Sequence, residues 1–216
     1  MQYEFFEGLL QTQPSQPLSC HGNLIEILLA VTVSLIEENG VEQLSVREVA
    51  KRAKVSPGAP FRHFKNKTAL LTAVAEQAMA RLTIAIEDQI NNEGNEDPID
   101  TFHALGNAYL NWALNNPTHF QIISSRNLID FNSSQQLVEQ NENIRIIMIR
   151  LIQKAKEQGI LNEKLDTDDL IFAARAFVYG VARMWVDRHF NEWNIKEDAQ
   201  IAMQKALNLF ILSIRN

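Results

Sequence analysis

Cysteine is almost absent from this chain, because Cys20 is the only one in 216 residues. A single thiol excludes an intrachain disulfide and a multi-cysteine metal site, and this usage is typical of a reducing cytoplasm. Long apolar runs are missing as well, since the run at 27–36 is too short to span a bilayer and lies between Glu26 and Glu37. The acidic N-terminus lacks the basic region of a secretory signal. These absences predict a soluble, cytoplasmic protein without a membrane partner.

Motifs of catalysis and of metal binding are also missing. The sequence has no Ser–His–Asp order, HExxH motif, phosphate-binding loop or dinucleotide-binding glycine motif. Its five histidines do not stand at metal-ligand spacing with acids or with the cysteine. His103 and His119 lie in aromatic-rich segments, where we expect hydrogen-bonded core histidines. The sequence therefore predicts no enzymatic activity, no metal and no cofactor.

Segments with the alternating pattern of a β-strand are absent, and no internal repeat occurs. Apolar residues instead recur at helical spacing along most of the chain, which predicts an all-α fold with about nine helices. The predicted helices cover 19–39, 46–53, a short stretch capped by Ser56, 68–92, 98–115, 117–124, 134–158, a stretch from the cap Thr167 to about His189, and a last helix opened by Asn194 and Glu197. We expect an N-terminal extension at 1–17, a three-helix domain at 18–80 and a helical body at 81–216.

Positive charge is concentrated in one short part of an acidic chain. Residues 1–46 carry six glutamates and no lysine or arginine, a net charge of −6. Residues 47–67, called here the basic segment, carry seven lysines and arginines against Glu48, a net charge of +6. Such an island favours one localised contact with a polyanion. A solvated basic face is the alternative interpretation of the charge alone.

Two short helical patterns meet at a tight turn within the basic segment. Ser45 is placed to cap the first, and Glu48 completes a capping box. Ser56 is placed to cap the second, with a proline at its first helical position. Ala50 and Ala53 are small where the helices have to cross. This arrangement at 45–64 is typical of a helix-turn-helix, whose second helix enters the major groove, although the pattern also occurs in proteins that bind no DNA.

The same residues carry a family resemblance. LSVREVA at 44–50, VSPGAPFRHF at 55–64, and Lys67 with ALL at 69–71 resemble the N-terminal domain of TetR-type transcriptional regulators, over roughly residues 20–80. The resemblance implies a homodimer with two recognition helices that binds a pseudo-palindromic DNA operator. It further implies that a small molecule in the C-terminal body lowers operator affinity. LGNAY at 105–109, WAL at 112–114, Asn116-Pro117, Phe120, Tyr179-Gly180 and Trp185 resemble one C-terminal subtype, the WHG domain.

The residues proposed for DNA contact all lie in or beside the helix-turn-helix. They are Ser45, Arg47, Ser56, Pro57, Gly58, Ala59, Phe61, Arg62, His63, Lys65 and Lys67. We expect phosphate contacts from Ser45, Arg47, the Phe61 backbone, Lys65 and Lys67, and base reading by Pro57, Gly58, Ala59, Arg62 and His63.

Four departures from the family pattern affect this motif. Lys54 stands where the family usually has glycine, and Phe61 stands where it often has tyrosine. Pro60 removes an N–H from the recognition helix. No lysine or arginine precedes the first helix, so a basic minor-groove arm is not expected.

Aromatic residues of the body suggest a cavity for a largely apolar effector, with a polar anchor such as His103, Arg175 or Tyr179. The candidates for its lining are Phe102, His103, Tyr109, Trp112, Phe120, Arg175 and Tyr179. An ordinary helical core is the alternative for most of them, and Arg175 could equally serve in an interface or an ion pair.

Small and apolar residues on the last two helices suggest a homodimer interface. The candidates are Ala173, Ala176, Phe177, Gly180, Val181, Met184 and Phe210. Two copies of these helices would form a four-helix interface with the same surface used by each subunit. Packing inside one subunit is the competing explanation.

The function that these patterns predict is a ligand-responsive homodimeric DNA-binding repressor. The competing hypothesis is a helical small-molecule-binding or interaction protein whose helix-turn-helix has lost DNA affinity. The acidic flanks and the missing basic arm keep that hypothesis open.

Overall fold

The computed structural model describes residues 20–93 and 97–216, and within them the chain is all-helical, as predicted. The predicted N-terminal extension and residues 94–96 of the loop before Pro98 lie outside the described residues. The helices are α1 Cys20–Asn39, α2 Val46–Arg52, α3 Lys67–Glu93, α4 Pro98–Asn115, α5 Pro117–Ser124, α6 Gln135–Glu157, α7 Thr167–Val186 and α8 Ala199–Ile214, with one 3₁₀ turn at Pro60–Arg62.

Helices α1 and α2 and the start of α3 form the N-terminal unit. The predicted stripe of α1 is buried at its centre, where Leu28 and Thr32 have no exposed surface. The Thr32 hydroxyl donates a hydrogen bond of 2.7 Å to the Leu28 carbonyl, so its polar group is satisfied inside the core. Gly40 ends α1 with φ of 81°, a left-handed conformation that glycine adopts without steric cost. Helix α2 begins where predicted, because the Ser45 hydroxyl accepts a hydrogen bond from the Glu48 amide.

The prediction of a third α-helix capped by Ser56 is wrong. Ser56 does not open an α-helix, because a turn at residues 57–59 leads into the 3₁₀ turn Pro60–Arg62. Pro60 explains the difference, since it has no N–H to donate to the Ser56 carbonyl, as an α-helix would require. The Ala59 amide donates to that carbonyl instead, at 2.9 Å. We call residues 56–64 the recognition segment.

Helix α3 is the central helix of the molecule. It begins at Lys67, with the Asn66 side chain accepting from the Ala69 amide at 2.8 Å, and continues through residue 80, where we placed a domain boundary. That boundary stays a prediction. By length and apolar composition alone α3 could cross a membrane. Its apolar residues Leu70, Leu71 and Val74 are buried against the other helices, which is the environment of a core helix.

Helices α4 to α8 form the body around α3. Asp97 caps α4, and Ser134, which we predicted as the first residue of a helix, is the cap of α6. Both predicted boundaries of α7 are wrong. Asp166, not Thr167, caps α7, and that helix ends at Val186 because Arg188 turns left-handed with φ of 63°.

The last helix starts later than predicted. Asp198 caps α8, whose first residue is Ala199. Asn194, one of the residues expected to open it, is itself left-handed, with φ of 57°. A left-handed residue cannot continue or begin a right-handed helix, so the segment before Asp198 is a connection.

Candidate DNA-binding surface and ligand cavity

Lys54, which stands where the family usually has glycine, lies in the turn after α2. Lys54 has φ of 56°, in the left-handed region that costs a non-glycine residue on the order of 1 kcal/mol. The Val55 amide then donates to the Ala50 carbonyl at 3.0 Å, which closes the helix end. Val55 is partly buried against the core. The turn therefore ends α2 directly before the recognition segment.

Two buried residues hold the recognition segment to the core. Pro60 is buried and the Phe64 side chain is 6% exposed. Between and before them, Pro57, Gly58 and Arg62 are exposed, and the predicted contact residues Ser56 and Phe61 are exposed as well. Ala59 and His63 are half-buried. Most of the residues proposed to contact DNA thus lie together on one exposed segment.

Gly58 has open space where a side chain would begin. No atom lies within 4 Å of the position that a Cβ would occupy. The fold therefore does not require glycine there. Because Gly58 has no side chain, DNA can approach its backbone closely.

Three of the seven cations of the basic segment are engaged within the protein. Arg52 forms a two-bond salt bridge with Glu38, at 2.8 and 2.7 Å, which lowers the pKa of that carboxyl. Lys51 lies 3.9 Å from Glu48. The Lys67 ammonium donates to the Val41 carbonyl at 2.6 Å and to the Glu42 carbonyl at 3.4 Å. Lys67, expected to bind phosphate, therefore also holds the loop after α1.

The side chains of the other four cations form no salt bridge or hydrogen bond with any residue in the described parts of the chain. They are Arg47, Lys54, Arg62 and Lys65. All four are exposed. Ser45 is also exposed, and its capping oxygen keeps its O–H free to donate to a phosphate. This surface can place several donors and positive charges against a polyanion.

A cleft in the body has two adjoining parts. The first, the apolar lobe, has a volume of about 130 Å³ and lies between α3, α4, α6, α7 and α8. Apart from Asn141, Tyr109 and two arginines, its lining is apolar: Met79, Leu82, Ile86, Phe102, Leu105, Gly106, Ile144, Met148, Ile171, Ala174, Val178, Leu207 and Phe210. Such a surface favours an apolar molecule.

The second part, the polar lobe, has a volume of about 200 Å³. Its polar lining consists of Tyr109, Ser124, Arg126, Asn141, Arg175 and Tyr179. Met79, Tyr109, Asn141 and Arg175 line both lobes, so the two parts adjoin. One molecule with an apolar part and a polar part could occupy both.

Aromatic rings hold the two arginines of the polar lobe. The Arg126 guanidinium carbon lies 3.9 Å from the centre of the Phe131 ring, and that of Arg175 lies 4.9 Å from the Tyr109 ring. Partial burial and the positive charge of Arg175 both lower the pKa of Arg126. Burial raises the pKa of Tyr109, against the opposing charge and hydrogen bond of Arg175. Arg126 stays protonated at neutral pH despite its lowered pKa.

The structure brings four of the seven predicted pocket residues to the cleft, namely Phe102, Tyr109, Arg175 and Tyr179. Phe120 is fully buried behind it and lies 6.2 Å from the Tyr109 ring and 6.0 Å from the Tyr179 ring.

His103 and Trp112 lie elsewhere. His103 hydrogen-bonds Asn208 at 2.7 Å. Trp112 is buried in the core, and its indole N–H has no partner among the described residues. Sequence reasoning missed Arg126, because it follows α5 in a stretch without helical periodicity. The one sequence signal for Arg126 is its position two residues after the end of the short apolar helix α5.

None of the seven predicted dimer residues belongs to the fully buried core. Ala173 and Ala176 are exposed, and the others are half-buried. Phe177 and Phe210 stack on each other at 4.8 Å within the subunit. Larger apolar residues of the same two helices face solvent: Phe172 is 75%, Leu209 68% and Leu212 67% exposed.

Comparisons with known proteins agree with this architecture. Residues 28–74 match the family described as "Bacterial regulatory proteins, tetR family", and residues 102–209, half of the chain, match "Tetracyclin repressor-like, C-terminal domain". The second match is not to the WHG subtype, so that resemblance stays a prediction.

Similar proteins cover nearly the whole chain. The "Fatty acid metabolism regulator protein" of Bacillus subtilis is 22% identical over 88% of this chain and 94% of its own length. A protein of unknown function from Rhodococcus sp. RHA1 has a solved structure with a TM-score of 0.74, 26% identity, and coverage of 94% of this chain and all of that one. The fatty acid degradation regulator FadR from Bacillus halodurans has a TM-score of 0.69, 20% identity, and coverage of 92% and 97%.

The helix-turn-helix, the helical body and the family matches agree with one another. The matched families are transcriptional regulators, which confirms that no enzyme is to be expected here. The chain therefore belongs to the TetR family of DNA-binding transcriptional regulators.

Proposed function

We propose that this protein is a cytoplasmic homodimeric repressor that binds a pseudo-palindromic operator and releases it when a small, largely apolar molecule enters the cleft. The observation that carries the proposal is that one helix reaches both sites. Lys67, the first residue of α3, lies three residues after the recognition segment, and Met79 and Leu82 of the same helix line the apolar lobe. The helical rise of about 1.5 Å per residue separates Lys67 and Met79 by about 18 Å.

The polar lobe is also connected to α3. The segment after α5, which carries Arg126, is bonded to this helix at two points. The Asp130 amide donates to the Thr72 hydroxyl at 3.0 Å, and the Ser134 hydroxyl donates to Glu76 at 2.7 Å. A ligand that moved Arg126 would therefore shift α3 and, through it, the recognition segment.

The exposed face of α7 and α8 supports the homodimer. Ala173, Ala176 and Gly180 follow one another at spacings of three and four residues on one side of α7. A Cβ at Gly180 would meet nothing within 4 Å, so a partner helix could approach closely. Exposed leucines on α8 would gain burial in the same interface.

Operator binding is tested by a mobility-shift titration with the DNA upstream of the chain's own gene. We expect specific binding whose affinity falls by about 10³-fold or more between about 50 and 200 mM salt, because phosphate contacts release counterions. Equal affinity for this DNA and for random DNA at both salt concentrations would contradict the proposal.

Dimerisation is tested by sedimentation equilibrium with Gly180→Arg. A buried, unpaired guanidinium at the centre of the interface should convert the dimer into a monomer. Gln153→Arg, an exposed position on α6, is the matched control and should leave the dimer intact. A dimer that survives Gly180→Arg would contradict this interface.

A helical ligand-binding protein without DNA affinity is the second candidate. The internal bonds of Arg52 and Lys67 favour it, because these cations are partly used by the fold. The mobility-shift titration separates the two, since this candidate would bind neither DNA at low salt.

A further inference from the structure

Several arginines of the body pair with carboxylates, but the two that line the polar lobe have no such partner among the described residues. Arg145 pairs with Glu142 and Asp168, Arg183 with Asp187, and Arg215 with Asp97 and Asp100. Arg126 and Arg175 form no salt bridge with any acid of the described residues, although they line the same lobe. Both side chains are exposed to solvent, and a cleft lined by charges of one sign attracts ions of the opposite sign. Here the missing anion is not supplied by the described protein.

Both guanidiniums are held in place without using up their donors. Arg126 lies over Phe131 and donates to the Ile123 carbonyl at the end of α5. Arg175 lies over Tyr109, which lines both lobes. A guanidinium has five N–H donors in a planar fork, so several remain directed at the lobe. Cations placed over rings in this way recognise planar or tetrahedral oxyanions.

The neighbouring apolar lobe determines what such an anion must carry. Arg175 and Tyr109 stand at the junction of the two lobes, and beyond them the walls are Met79, Leu82 and Phe102. A small inorganic anion would leave those walls without a ligand. A neutral apolar molecule would leave the guanidiniums unpaired. A ligand with an anionic head and an apolar tail satisfies both parts.

We propose that the effector is an anionic amphiphile, whose carboxylate or phosphate head binds Arg126 and Arg175 in the polar lobe while its apolar chain occupies the apolar lobe. The proposal rests on the proposed function, because it names the chemical class of the molecule that occupies this cleft. It adds an assignment of the two ends of the ligand to the two lobes.

Calorimetric titration of the full chain with three probes tests the assignment. The probes are dodecanoate, dodecyl phosphate and dodecanol, kept below their aggregation concentrations, with the octyl and hexadecyl homologues run in parallel. They share a chain and differ in the head. Dodecanoate and dodecyl phosphate distinguish a carboxylate from a phosphate ligand. Dodecanol should bind about tenfold weaker or more, because it cannot form charge-assisted hydrogen bonds.

Variants then locate the head. Arg126→Gln and Arg175→Gln should each weaken the better charged probe about tenfold and leave dodecanol binding unchanged, which also shows that the apolar lobe is intact. Arg81→Gln, which removes an exposed charge outside both lobes, is the matched control and should change neither.

Three results would overturn the assignment. They are dodecanol binding as tightly as the charged probes, loss of affinity in Arg81→Gln equal to that in the two cleft variants, and no binding of any probe at the three chain lengths. The mobility-shift titration uses no ligand, so failure of the amphiphile assignment and failure of the proposed operator binding are recorded separately.

Discussion

The recognition segment and the polar lobe both present cations, but they hold them in different ways. Arg62 lies in the recognition segment and Lys65 directly follows it, and the buried residues Pro60 and Phe64 anchor that segment to the core. Arg126 and Arg175, in contrast, lie over aromatic rings. DNA is a long polyanion, and its phosphates attract exposed cations over a Debye length of about 10 Å. The cations that bind it therefore need no single fixed position. A small molecule offers one charge at one position, so the cations that bind it need a fixed position.

The strongest test of this contrast removes the anchor of the recognition segment. Phe64→Ala should lower the free energy of unfolding by about 3–5 kcal/mol, because the ring is buried and the cavity left behind cannot fully collapse. Urea denaturation measures the loss. Phe61→Ala is the matched control, since that ring is 48% exposed, and it should cost well below half as much. Equal losses would mean that Phe64 does not anchor the segment.

The next largest effect concerns base reading. Arg62→Ala should relax preference at one operator position by about 1–3 kcal/mol, because a side chain that reads a base edge is lost. Lys65→Ala should instead weaken all sequences alike and reduce the salt slope by about 1. Lys65 is a cleaner choice than Lys67, which also bonds the Val41 carbonyl. Equal loss on specific and random DNA for Arg62→Ala would defeat the assignment.

A smaller effect comes from the turn that aims the recognition segment. Lys54→Gly should raise the free energy of unfolding by up to about 1 kcal/mol, because glycine adopts the observed φ of 56° without steric cost. The greater freedom of glycine in the unfolded chain offsets part of this gain. An unchanged or lower thermal midpoint would contradict the expected net gain.

The smallest expected effect lies in the body and depends on pH. Burial, and then the positive charge of Arg81, lower the pKa of His119. The unfolded chain therefore takes up a proton that the folded chain resists, so stability is fully present above the ordinary histidine pKa of about 6.5 and falls as pH drops below it. His119→Gln should flatten this part of the stability profile between about pH 7 and 5. A profile of unchanged slope would exclude His119 as its source.

Local chemistry accounts for most of what could be predicted. Ser45, Asp97 and Ser134 are helix caps in the structure, since a capping side chain bonds backbone amides only a few residues away. The left-handed Lys54 stands where the family usually has glycine, which is also a local signal. The misplaced ends near His189 and Asn194 have no such local signal, because a positive φ at Arg188 and Asn194 is not encoded by a glycine.

The recognition segment shows a competition between two local signals. A serine followed by proline favours the start of a helix, but Pro60 withholds the N–H that the first α-helical bond would need. Of the two signals, Pro60 is the one that predicts the observed 3₁₀ turn. The burial of Pro60 and Phe64, however, depends on packing against helices far away in the chain.

The cleft required the three-dimensional arrangement. Arg126 and Arg175 are 49 positions apart in the sequence, and only Arg175 was predicted to line a cavity. Helical periodicity and capping are local properties, so the chain's order of residues determined the helices, the basic segment and the family. Which side chains line a cavity, and which arginines lack an acid, depends on how those helices pack. Packing joins residues that no local pattern relates, and for that reason only the tertiary structure decided the two lobes of the cleft.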